Sequence, residues 1–181
     1  MKITVVIGNP SAGGRTTELG LAVAKGIGDL LDAPSDIEVI ELSKYADGLF
    51  AWDSESVKAL TKTVAEPGIV VFATPTYKAS YTGLLKAFLD RYDTGGLKGT
   101  VAIPVFTGGS PDHSLAPNHT LRPLLVELGA SVPTASLYLV TSQFDRKDEI
   151  VAKFIAAERY PLLGAVHGLT LQLAHRETGT E

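Results

Sequence analysis

Five short apolar runs, at positions 3–7, 37–42, 69–73, 101–106 and 136–140, punctuate the chain. Those at 3–7, 69–73 and 101–106 are nearly unbroken, which is the pattern of a strand covered on both faces. Between them the apolar residues recur at helical spacing, predicting helices over 16–31, 54–65, 81–92, 115–128 and 147–174. The first of these carries Leu19, Ala22, Val23, Gly26, Ile27, Leu30 and Leu31 on one stripe. Strand and helix in regular alternation predict an α/β fold, a three-layer α/β/α sandwich around a five-stranded parallel sheet. With five strands in a chain of this length, the order 2-1-3-4-5 is expected.

Three places strain this scheme. Pro104 falls inside the fourth run, where a central strand needs its N–H, so a local irregularity is expected there. Pro161 lies within the last helical pattern and should kink or divide it. The segment 43–54 is aromatic and non-periodic and reads as a long excursion beyond the carboxyl end of the second strand. Its Trp52 is expected to pack as a satellite of the core, with covering a ligand or partner as the other role.

Of the 181 residues, 45% are hydrophobic and 20% charged, and the formal net charge is −4. One domain over residues 1–181 with a well-buried core is the expectation. With no basic cluster, nucleic acid and anionic membrane are poor partners. There is no cysteine, which excludes disulfides and thiolate chemistry. No apolar run reaches the length of a membrane span. The strand pattern starts at Met1 with no basic leader, so a cytoplasmic protein is expected.

Chemistry concentrates where strands end. After the first run comes Gly8-Asn9-Pro10-Ser11-Ala12-Gly13-Gly14-Arg15-Thr16-Thr17. This hydroxyl-rich turn enters a helix whose free N–H groups and positive dipole end, with the Arg15 guanidinium, suit a phosphate. It lacks the Lys of a P-loop, and Pro10 stands where a dinucleotide fingerprint has its second Gly. A terminal phosphomonoester remains, such as that of flavin mononucleotide; a solvated turn with a Thr N-cap fits the same residues.

After the third run, Thr74-Pro75-Thr76-Tyr77-Lys78 must leave the strand in an extended turn, because Thr74 precedes Pro. That sets backbone N–H groups and the Thr76 and Tyr77 side chains over the strand end, a setting for a flat heteroaromatic ring. A plain strand-to-helix turn with an exposed Tyr is the competing account. After the fourth run, Thr107-Gly108-Gly109 lets backbone approach a ligand closely.

These three segments, with Tyr81-Thr82-Gly83-Leu84-Leu85-Lys86 after the second, resemble the flavin loops of the NAD(P)H-dependent FMN reductases, which are flavodoxin-like. The likeness runs to about Leu128 and is nearest to the reductase components of two-component alkanesulfonate-type monooxygenases. It implies that Asn9, Ser11, Arg15, Thr16 and Thr17 hold the FMN phosphate. Family loops often carry a Ser where Gly14 stands here. Pro75, Thr76, Tyr77 and Lys78 would flank the ribityl chain and ring, and Thr107, Gly108 and Gly109 the isoalloxazine edge. His119 falls where some members carry a one-residue helical insertion near the flavin and the subunit interface, and His113 lies close by in sequence.

The resemblance further implies hydride transfer from NADPH or NADH to FMN, with no side chain acting as acid or base and no metal. Reduced flavin would then supply a partner monooxygenase. An FMN-containing quinone or azo reductase and a non-catalytic flavodoxin-type carrier use the same loops and remain open here. The apolar face of the helix at 81–92, beside Tyr77 and Tyr81, exceeds what one sheet layer needs, so a homodimer or homotetramer is expected. His167 and His175 read as structural or exposed. Arg91, Lys98 and Arg122 are the cations considered for a 2′-phosphate.

Overall fold

The computed structural model describes residues 1–32 and 36–177. Strands β1 (Lys2–Ile7), β2 (Asp36–Glu41), β3 (Gly68–Pro75), β4 (Thr100–Gly108) and β5 (Leu137–Val140) form one parallel sheet of order β2-β1-β3-β4-β5. The expected architecture and order are therefore present. The three inner strands are buried almost end to end, which explains their unbroken apolar runs. The edge strands β2 and β5 are partly exposed.

Alternate residues of each strand point to opposite faces, so one sheet builds two cores. Ile3, Val5, Ile7, Val71 and Val105 face α1 (Arg15–Leu30), α5 (Lys147–Ala157) and α6 (Arg159–Glu177), meeting Leu19, Val23, Ile27, Val151 and Leu162. Val6, Val70, Phe72, Ala102 and Phe106 face α2 (Glu55–Ala65), α3 (Gly83–Leu89) and α4 (Arg122–Glu127), meeting Val57, Leu60, Phe88 and Leu125.

The prolines act where the backbone can spare a donor. β4 runs unbroken through Pro104, contrary to the expected irregularity, and Pro104 stands in register with Phe72 of β3. Ala102 N–H donates to Ser131 on the β5 side, and Pro104, two residues on, faces the same side. The β5 ladder begins only at Val105, so the missing N–H costs no strand pairing. The last helical pattern divides as expected, with a break at Glu158 and Pro161 in the first turn of α6, where an N–H has no intrahelical partner. Near the other core, Pro117–Leu121 form a π-helical turn in which Arg122 N–H reaches Pro117 O, five residues back. Pro123, which offers no N–H to the His119 carbonyl four residues back, favours this widening.

Two further expectations change. The apolar side chains of α3 do not await a partner subunit, because Leu85, Phe88 and Leu89 are fully buried in the chain's own core. The 43–54 excursion begins as a 3₁₀ helix (Leu42–Gly48), and Trp52 lies 71% exposed rather than tucked against the core. The Arg91 guanidinium lies 4.7 Å from the Trp52 ring and donates to the carbonyls of Leu49, Ala51 and Trp52.

The seat of α1 on the sheet depends on a missing side chain. A Cβ at Gly20 would lie 2.8 Å from Val5 Cγ1 and 3.1 Å from Ala73 Cβ, both on inner strands that cannot retreat. Gly20→Ala should therefore lower stability by about 1–2 kcal/mol in urea unfolding, overpacking outweighing the gain in helix propensity.

Candidate functional site

Sheet order reverses between β1 and β3, and the crevice at their carboxyl ends is where an open α/β sheet accepts ligands. Three loops meet there. The first joins β1 to α1 and passes through Gly13 (φ 72°) and Gly14 (φ 87°), two successive residues in the left-handed half of backbone space. Gly14 is the N-cap of α1 and no side chain caps the helix. The first-turn N–H groups, at the positive end of a 16-residue dipole, thus have no partner within the helix or from a capping side chain. This is a concavity for an anion.

The loops are tied together by buried threonines. Thr16 and Thr107 hydroxyls lie 2.9 Å apart, linking the first loop to the end of β4. Thr82, the N-cap of α3, accepts from Leu85 N–H at 3.1 Å and donates to Gly8 O at 2.5 Å, linking the second loop to the first. Thr82 N–H donates to Thr74 Oγ1 at 3.3 Å, and Thr76 N–H donates to Thr107 O at 2.7 Å. Thr16, Thr74, Thr82 and Thr107 are all at most 4% exposed. At that burial an unmade hydroxyl bond is expensive, so the set holds one geometry.

The second loop then makes a two-residue turn. Tyr77 and Ser80 exchange both N–H···O bonds, at 2.9 and 3.1 Å, with Lys78 (φ 51°) and Ala79 (φ 62°) between them. Both central residues are left-handed, as a type I′ turn requires, yet neither is Gly, Asn or Asp. The turn carries backbone strain and raises Tyr77, half exposed, at the rim of the crevice.

The individual predicted residues divide into those committed to the scaffold and those facing out. Asn9 Oδ1 accepts from Ser11 N–H at 3.2 Å, shaping the loop, while the Ser11 and Arg15 side chains are exposed. The hydroxyls of Thr16 and Thr107 share one hydrogen bond, and that of Thr17 donates to Glu41. Pro75 ends β3. Thr76 Oγ1 is buried without a hydrogen-bond partner. Gly108 does not make room for a ligand. A Cβ there would lie 1.7 Å from Tyr138 Oη, so the space belongs to Tyr138, which donates to Ser110 O at 2.6 Å. Gly109 faces open space. His113 and His119 are exposed, the first in a 3₁₀ turn after β4 and the second inside the π-helical turn. Of the cations considered for a 2′-phosphate, Arg91 is engaged with the 49–52 carbonyls and Arg122 with Thr134 O. Lys98 lies just before β4, at the opposite end of the sheet from the crevice.

Two residues near the crevice, Glu41 and Phe144, had no motif to mark them. Glu41, last in β2, accepts from Thr17 Oγ1 at 2.8 Å and from Gly13 N–H at 3.1 Å. Phe144 lies under two cations, with Arg15 Cζ 5.9 Å and Lys147 Nζ 5.5 Å from its ring centroid. Next to them Arg146 and Lys153 hydrogen-bond the exposed Glu149 and hold its carboxyl down at about 2. Glu41 is separated from the first loop by a whole helix and Phe144 by most of the chain, so only the fold joins them.

Fold and site together define an α/β protein whose first helix starts, with open N–H groups, at the switch point of a parallel sheet. The family model for NADPH-dependent FMN reductase matches residues 1–145. The chain is 33% identical over 135 residues to FMN reductase (NADPH) of Escherichia coli, covering 72% of this chain and 68% of that one. It is 31% identical over 181 residues to the NADH-dependent FMN reductase SfnE of Pseudomonas putida, covering 93% and 96%. The solved apo form of the NADH:FMN oxidoreductase EMOB superposes with a TM-score of 0.78 at 33% identity, covering 90% and 89%. The chain belongs to the NADPH-dependent FMN reductase family and is an NAD(P)H:FMN oxidoreductase.

Two substitutions test the local construction. Thr82→Val removes a cap and orphans the Gly8 carbonyl, and should cost about 2–3 kcal/mol in chemical denaturation. Ala79→Gly relieves a left-handed residue and should raise stability by about 1 kcal/mol, read as a higher melting temperature.

Proposed function

We propose that one FMN spans the three tied loops, its phosphate at the start of α1 and its ring across the ends of β3 and β4. The observation that carries this is the threonine network, which fixes the loops in one frame while leaving the α1 donors and Thr76 Oγ1 unpaired. FMN needs both features, a donor cluster for a phosphomonoester and a hydroxyl with a carbonyl edge for a ring. The flavin supplies two-electron chemistry, taking hydride from the reduced nicotinamide.

The chain's own part is placement. First-turn N–H groups of α1, the Ser11 hydroxyl and Arg15 hold the phosphate; the Thr17 hydroxyl reaches it only by sharing with Glu41. Thr76 and the backbone of Pro75–Lys78 orient the ribityl chain and one ring edge, and Thr107–Gly109 border the other. Tyr77 covers the exposed side. No side chain has to move a proton, and among the described residues no cluster of His, Asp and Glu is arranged to hold a metal.

Exposure of Ser11, Arg15, Tyr77 and Lys78 supports a flavin that exchanges with solvent and leaves reduced, serving a partner monooxygenase. A relative named SfnE, an NADH-dependent FMN reductase, is similar over nearly the whole chain, which agrees with such a role. The protein then works in the cytoplasm as one FMN-binding domain. No described helix is long and apolar enough to cross a membrane. A homodimer or homotetramer fits the exposed Phe50, Trp52, Tyr77, Leu115 and Val126.

The test is steady-state oxidation of NADH and of NADPH with FMN, FAD and riboflavin in turn. FMN should be preferred over riboflavin, and Arg15→Ala should remove about 1.5 kcal/mol of FMN binding, roughly tenfold, without changing riboflavin binding. Equal use of FMN and riboflavin by the wild type would overturn the assignment of the phosphate to this loop.

A further inference from the structure

We infer that Glu41 is an internal anion that competes with the flavin phosphate and sets how quickly FMN leaves. The inference rests on the phosphate lying at the start of α1, as proposed above.

Glu41 is only 8% exposed, yet it sits at the carboxyl end of β2 directly against the phosphate loop. Its Oε1 takes two of the loop's donors, Gly13 N–H at 3.1 Å and Thr17 Oγ1 at 2.8 Å. Its Oε2 is buried and has no partner. A buried carboxylate with one oxygen unsatisfied is costly, and so calls for a reason. Bracing the loop does not supply one, since Oε1 alone makes both bonds and an amide oxygen would accept them equally.

The charge itself has a consequence. The start of α1 carries roughly half a positive charge, and a full carboxylate beside it outweighs that pole. A phosphate approaching the α1 N–H groups therefore finds two neighbouring loop donors, Gly13 N–H and the Thr17 hydroxyl, already used and a like charge at close range. The offsetting cation is Arg15, which is exposed and rests over Phe144 rather than in the loop. In a phosphate site built for retention the internal charge would be positive. Here it is negative, which weakens the hold on FMN and speeds its exchange, as a flavin handed to another protein requires.

The experiment compares FMN and riboflavin affinities by quenching of flavin fluorescence, with FMN release followed by stopped flow. Glu41→Gln keeps shape and the Oε1 acceptor but removes the charge. Its affinity for FMN should rise about tenfold relative to riboflavin, the size expected for losing a near like charge at a partly exposed site, with release slowed in proportion. Should that variant fail to fold, Glu41→Asp and Glu41→Asn make the same comparison at a shorter length, and Asn should bind FMN more tightly than Asp. If the wild type prefers FMN over riboflavin but the neutral variants show the same preference, or a smaller one, the role of Glu41 is overturned. If the wild type does not prefer FMN at all, the phosphate assignment fails first, and the two failures are thereby told apart.

Discussion

The hydroxyl pair Thr16–Thr107, with Thr82 on the Gly8 carbonyl, is what the rest of the crevice depends on. Loops at the ends of parallel strands are free to diverge, because the ladder stops beneath them. Here three of them are drawn into one frame by side chains buried at the strand ends, where water cannot replace a broken bond. Threonine suits the task. Its β-branched stem continues the strand's packing, and its hydroxyl both donates and accepts. The backbone bond from Thr76 N–H to Thr107 O extends β3–β4 pairing one step into the loops and completes the frame.

The bonds that hold the scaffold and the donors left open at the crevice belong to different atoms. Scaffold bonds join the hydroxyls of Thr16 and Thr107 and engage that of Thr82, whereas the first-turn N–H groups of α1 and Thr76 Oγ1 have no partner and Arg15 is exposed. Strain in the Lys78–Ala79 turn and the unsatisfied oxygen of Glu41 are local costs at the same crevice, borne by a core that is closely packed on both faces of the sheet.

Much of the fold was legible from patterning, because buried parallel strands and amphipathic helices leave unlike signatures. All five strands, the order of the sheet, the helix following each loop and the division near Pro161 follow from periodicity and turn chemistry. Pro104 was misread because a strand has two sides and a sequence shows neither; its missing donor faces the side where β5 has not yet begun. Trp52 was misread because its apolar area suggested burial, whereas Arg91, about forty residues on, holds the whole loop outward by its carbonyls.

The sequence by itself determined where the crevice lies and what kind of ligand the first loop suits, since glycines, hydroxyls and a helix start are local features. Which hydroxyls remain free was decided only by tertiary structure. Thr16 and Thr107 are 91 residues apart, Thr82 and Gly8 are 74 apart, and Glu41 reaches Thr17 across 24. Those pairings exist because parallel strands bring their carboxyl ends side by side regardless of separation along the chain. A donor's availability is a property of its neighbours in space, and no local pattern records it.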